Sequence, residues 1–271
     1  MGFNSTARQH AFLSFRKLPR GWFPWGALII ACFPLFAQTI SDAPESLHRP
    51  YDILLQLYVS GARFDYDRMW RNEDDLQRLA DYVDTLQTRD PSEWPREAAL
   101  AYWINLYNAA TLNLVLQNYP VKSIKDIGGF MKSPWSRKVA RVAGKELTLD
   151  DIEHKIIRPR FKDARIHFAL NCAAIGCPPL SNRAFAAETL EQQLEAACYA
   201  ALNDPRWVEV TGREIRVSKI FDWYRKDFEE YSGSLREFIA RYREKDRETI
   251  LDETRKLTFK DYDWSLNKVE L

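Results

Sequence analysis

Apolar and polar positions along this chain follow two different periods, and the switches between them outline its elements. Tyr51–Val59 is an apolar-rich run that ends at Gly61. Asn72 then stands where a helix cap belongs, and Leu76, Leu79, Ala80 and Val83 follow at helical spacing. Pro95 opens the longest and most apolar stretch, a predicted helix to about Gln117. A helical wheel gathers Glu97, Ala101, Asn105 and Asn108 into one stripe and leaves the remaining surface apolar. Such a helix is expected to be buried, so its polar stripe must meet partners or line a cavity.

Two short stretches alternate with a period of two around a Gly-containing turn. Lys138–Val142 turns through Ala143-Gly144 into Glu146–Thr148, and Trp207–Val210 turns through Thr211-Gly212 into Glu214–Val217. Both read as β-hairpins. Helical patterns start at Thr148, run from Glu188 to about Leu202, and recur near Ser218–Phe228 and Ser234–Tyr242. The run Arg165–Cys172 reads as a buried strand, with Ile166, Phe168, Leu170 and Cys172 on one face and His167, Ala169 and Asn171 on the other. These elements give an α+β class: a helix-rich single domain over residues 45–271, with a small antiparallel sheet that includes the two hairpins. There is no βαβ alternation and no Gly-rich phosphate loop, so no cofactor is expected.

Charge adds a second division. Residues 1–38 hold Arg8, Arg16, Lys17 and Arg20 and no acid, while the whole chain carries a formal net charge of +1. The body is therefore weakly acidic, which gives no electrostatic case for nucleic-acid binding. The basic residues precede the uncharged, largely apolar run Gly21–Ala37, the pattern of a signal peptide or an N-terminal membrane anchor over 1–38. Export, periplasmic or extracellular, is the expectation, with membrane association through that segment if it stays uncleaved. Beyond it the cysteines are Cys172, Cys177 and Cys198. Three is odd, so one thiol lacks a partner within the monomer.

The candidate chemistry clusters around Arg165–Leu180. Cys172 and Cys177 flank a loop rich in small residues, with His154 and His167 within 23 residues of them. Three arrangements fit those residue types. In a cysteine hydrolase or acyltransferase, Cys172 is the nucleophile, His154 or His167 the base, and Glu97 the carboxylate that orients it. Zinc held by His154, His167, Cys172 and Cys177 is the second, weakened by the four-residue spacing between the cysteines. The third is a Cys172–Cys177 disulfide. Asn105, Asn108 and Cys177 are candidate binding residues, though asparagines on a buried helix commonly serve loop backbone instead. The hydrolase would act on a peptide-like or amide bond. Its rival is a non-catalytic cell-envelope binding module in which the cysteines are cross-linked and Trp103, Tyr107, Trp223 and Tyr224 recognise a peptide-like or small-molecule ligand.

Several blocks carry a family resemblance: Ala101–Ala109, Leu149–His154, Arg165–Leu180, Ile220–Tyr224 and Tyr262–Asn267. Through them the chain resembles the domain of unknown function numbered five hundred and forty-seven, found in bacteria and plants. The resemblance implies a fold distantly like papain-type cysteine hydrolases. It also implies a Glu–His–Cys grouping, which falls here on Glu97, on one of His154 or His167, and on Cys172. This is analogy of fold and carries no substrate.

Overall fold

In the computed structural model, which describes residues 44–128, 133–212 and 214–270, the chain begins with helix α1 (Pro44–Tyr58). A short turn of β1 (Val59–Ser60) and β2 (Arg63–Phe64) follows, then α2 (Tyr66–Trp70) and α3 (Glu73–Gln87). The segment 1–38 read as a signal peptide or anchor lies outside the described residues. Asn72 caps α3 as expected, its side chain accepting from the Asp75 amide at 3.2 Å. Among the described residues no helix is long and apolar enough to cross a membrane.

α4 (Arg96–Gln117) is the helix predicted from Pro95, and it is buried on all sides from Ala98 to Leu112. It forms the centre of the larger of two hydrophobic clusters, packed by α1, α3 and the hairpin β3 (Lys138–Val142)/β4 (Lys145–Thr148). Beyond that hairpin the chain re-enters helix through a reciprocal cap. Thr148 Oγ1 accepts from the Asp151 amide at 3.0 Å, and the Asp151 carboxylate accepts from the Thr148 amide at 2.9 Å. The hydrogen bond from Lys155, joined by that Thr148 amide, pushes the Asp151 carboxyl down to about 2. A π-helical stretch, Asp151–Ile157, runs directly into α5 (Arg158–Phe161). Glu153 is buried here, whereas the neighbouring His154 side chain is 39% exposed.

The expected strand at Arg165–Cys172 does not form. The run opens instead as a 3-10 turn, Ala164–Phe168, capped by Asp163, whose carboxylate accepts from the Arg165 amide at 3.0 Å. Arg165 completes the lock with side-chain bonds to Asp163 and Glu195. All five residues of the turn are buried, so the run has no solvent face from which its period could be read. Ile166, Ala169 and Leu170 enter the larger cluster, while Ala164 and Phe168 enter the second. This segment is the seam between the two cores, and His167 sits on it.

The second core is built by α6 (Leu190–Leu202), the predicted hairpin β5 (Val208–Val210)/β6 (Glu214–Val217), α7 (Ile220–Trp223), α8 (Arg225–Ser232), α9 (Leu235–Tyr242) and α10 (Arg247–Leu251). One further strand, β7 (Lys256–Phe259), adds to β6 in parallel. The architecture is α+β, dominated by helices, with small sheets at the periphery.

After β7 the chain returns across the seam as an extended strap. Gly176 and Ile175 donate to the carbonyls of Asp263 and Ser265 at 2.8 Å each, and the Asn267 amide reaches the Ala173 carbonyl at 3.1 Å. The strap thereby covers the Cys172–Cys177 loop.

Candidate functional site

The seam and the strap enclose a cavity of ≈ 300 Å³. Its lining brings together Cys172, Cys177, His154 and His167 from the predicted site, and adds Glu153, Asp150 and the aromatic side chains of Tyr107, Trp135, Trp223, Tyr224, Tyr262 and Trp264.

Local sequence accounts for the shape of the cysteine loop. Asn171 Oδ1 accepts from the Ala173 amide at 2.9 Å, and its Nδ2 donates to the Pro178 carbonyl at 2.7 Å. These bonds hold Ala173 at a φ of 62°, a left-handed conformation that a residue with a Cβ rarely adopts. Asn108 on α4 anchors the same loop, accepting from the Asn171 amide at 2.8 Å and donating to the Ala169 carbonyl at 2.9 Å. Asn105 makes the equivalent pair with the backbone of Phe185, at 2.8 and 2.9 Å. Both asparagines therefore serve backbone groups, and neither lines the cavity. Gly176 meets the strap closely: a Cβ there would stand 2.9 Å from the Tyr262 ring.

Cys172 and Cys177 are joined by a disulfide. The Tyr262 hydroxyl lies 3.2 Å from Cys172 Sγ and donates to Cys177 Sγ at 3.1 Å, and the Cys172 amide donates to Cys177 Sγ at 2.9 Å. Among the described residues neither sulfur has an imidazole as hydrogen-bond partner. The third thiol, Cys198, is buried within the second core, and burial pushes its pKa well up.

His167 has a carboxylate partner, though not the expected one. Asp227 on α8 accepts from His167 Nε2 at 2.8 Å and from Arg158 Nε and Nη2 at 2.7 and 2.8 Å. Burial would raise the Asp227 carboxyl, but the bonds from Arg158 and His167 outweigh it and hold the pKa well below the usual range. An ionised carboxylate only accepts, so the proton of the neutral ring sits on Nε2 and Nδ1 keeps its lone pair. Burial favours that neutral form by pushing the imidazole pKa down, against the pull of Asp227. The ring stacks on Tyr224 at 3.9 Å between centroids. His154 instead meets Arg158 Nη1 at 3.1 Å and Asp150 at 3.9 Å.

Glu97 is only partly buried, in the first turn of α4, and is not among the residues lining the cavity. A buried carboxylate that does line the cavity is Glu153, 8% exposed and one position before His154. Its sequence signal was available within the Leu149–His154 block, as was that of Tyr224 and Tyr262 within theirs. Asp227 had none, because its partners lie 60 and 69 residues away. With both sulfurs bonded to each other, the zinc arrangement has no ligand set. Among the described residues no group of three or more His, Cys, Asp or Glu could hold a metal ion.

Residues 91–200 match the model of a family described as a protein of unknown function, DUF547, the family that the sequence blocks resemble. No curated protein matches the chain. No solved structure matches it. Ile220, Trp223, Tyr224, Tyr262 and Trp264 fall beyond the matched segment, so about a third of the cavity-lining residues come from outside it, as does Asp227, the partner of His167.

Proposed function

We propose that this chain, whose residues 91–200 are a DUF547 segment, is an exported ligand-binding protein of the cell envelope. In this reading the Cys172–Cys177 bridge shapes the wall of the binding cavity and does no chemistry. The observation that carries the reading is the state of the two sulfurs. They are bonded to each other and hydrogen-bonded to a phenol and a backbone amide. A thiolate nucleophile needs a free sulfur beside a base. An exported bridge is also chemically durable, since thiols stay oxidised outside the cytosol. A cavity of ≈ 300 Å³ with aromatic walls and a few polar groups is of a size and character that suits a small organic ligand.

One specific observation favours a second reading, a thiol hydrolase or acyltransferase acting on a peptide-like or amide bond. Cys172 and His167 line the same cavity, and Asp227 fixes the His167 tautomer with Nδ1 as acceptor. After reduction, Cys172 would give its proton to His167 and attack the carbonyl carbon, and His167 would return the proton to the leaving group. Asp227 would then hold the orienting position first expected of Glu97.

A screen of neutral aromatic fragments by ligand-observed NMR tests the lead reading on the oxidised protein. It predicts fragments that bind the wild type and bind Trp223→Ala markedly less. An empty screen, together with amide or ester cleavage that appears only after reduction, would transfer the case to the thiol enzyme.

A further inference from the structure

Glu153 is a buried carboxylate of the cavity wall that has no ion pair among the described residues. It is 8% exposed, and the cations of its own helix are committed elsewhere. Lys155 pairs with Asp151 at 2.7 Å, and Arg158 pairs with Asp227 at 2.7 Å. Burial favours the neutral form of His167. The phenols of Tyr107 and Tyr224 donate hydrogen bonds to the carboxylate, their own ionisation suppressed first by burial, and His167, Arg158 and Tyr262 stand close enough to interact with it electrostatically. A second carboxylate, Asp150, lines the same cavity, with His154 Nε2 at 3.9 Å. A buried carboxylate with no ion pair is costly, and such a charge persists when something supplies the missing partner.

The remaining wall indicates what that partner looks like. Trp135, Trp223, Tyr262 and Trp264 form a connected set of rings with centroids 5.5, 4.8, 5.8 and 4.5 Å apart. Ring faces carry negative potential and attract cations. Trp264 already does so with a side chain of this protein, the Lys125 ammonium standing 3.7 Å from its centroid. Trp223, at 46% exposure, leaves part of its surface open to solvent.

We propose that the cavity binds an organic cation, an ammonium group carried on an apolar or aromatic body, with Glu153 holding the charge and the rings holding the body. The inference rests on reading the cavity as a ligand site. An anion would meet two carboxylates, and a neutral ligand would leave Glu153 buried without an ion pair. A bare metal ion is a poor fit, because no cluster of three ligating side chains is present among the described residues.

Calorimetric titration of the full chain with 2-phenylethylammonium and with 2-phenylethanol at neutral pH tests it, since the two probes share ring and length and differ in charge. The ammonium is expected to bind at least about tenfold more tightly. In Glu153→Gln that ratio should fall to within about threefold, with the alcohol little changed. A wild-type ratio near one overturns the proposal by itself, even if Glu153→Gln does not fold. So does a ratio that survives in a folded Glu153→Gln. Binding of the alcohol without preference for the ammonium leaves a ligand site and removes the cation. Binding of neither probe, together with an empty fragment screen, removes both.

Discussion

Replacing Asp227 by alanine removes the acceptor on which the half-buried Arg158 guanidinium and the buried His167 imidazole both depend. The loss comprises two bonds from Arg158, at 2.7 and 2.8 Å, and one from His167 at 2.8 Å. Hydrogen bonds to charged groups contribute roughly 1.5–3 kcal/mol each. The sum is discounted here, because the Asp227 and Arg158 side chains are 21% and 29% exposed and a freed guanidinium can turn to water. The His167 side chain is only 2% exposed and has no such escape. We expect a loss of about 2–4 kcal/mol at pH 7, a large share of the roughly 5–15 kcal/mol that holds a domain folded. The pH dependence has a definite sign. The Asp227 carboxyl is held below its ordinary value in the folded state, so its contribution is complete above the unfolded pKa of about 3.9. It disappears as pH falls through the folded value. Urea unfolding followed by tryptophan fluorescence should therefore show a gap between wild type and variant that is full at pH 7 and narrows below about pH 4. A gap under about 1 kcal/mol at pH 7, or one that widens on acidification, would refute the reasoning.

Three further expectations concern the loop and the cores. Asn108→Ala orphans the Ala169 carbonyl and the Asn171 amide, and should cost about 2–4 kcal/mol in the same urea assay; a neutral result would mean the cysteine loop does not depend on α4. Gly176→Ala sets a Cβ 2.9 Å from the Tyr262 ring, so it should destabilise by about 1–3 kcal/mol and shift the tryptophan emission of the strap, neither of which would follow if the ring had room to move. Cys198, buried and with its pKa pushed well up, should resist alkylation in the native protein and react only on unfolding; labelling in native buffer would contradict its place in the second core.

The elements read most reliably from the sequence are those whose two faces meet different environments. The hairpins at Lys138–Thr148 and Val208–Val217 alternate against solvent on one side, and the caps Asn72 and Thr148 announce themselves by residue type at a fixed spacing. Arg165–Cys172 could not be read this way, because burial of every side chain in the turn erases the period. The same limit applied to the site. Cys172, Cys177, His154 and His167 were legible because they are rare residue types close together in the chain. The position of Glu97 on α4 points to it as orienter, but the folded chain gives that place to Asp227 through a contact 60 residues long. Wheel geometry likewise put Asn105 and Asn108 on one polar stripe, and only the partners across the core distinguish a backbone clamp from a ligand contact. His154 is the more conspicuous residue type, but the helix turns its neighbour Glu153 inward and leaves the histidine partly exposed.

The state of the two sulfurs decides whether the bridge shapes the cavity wall or Cys172 stands free as a nucleophile, and alkylation reads it directly. The full chain, purified without reductant, is treated with iodoacetamide across a pH series and the labelled sites are assigned by mass spectrometry. No label is expected on Cys172 or Cys177 until a reductant is added. Rapid labelling of Cys172 in the untreated protein, well below the ordinary thiol pKa of about 8.5, would contradict this and identify an activated nucleophile.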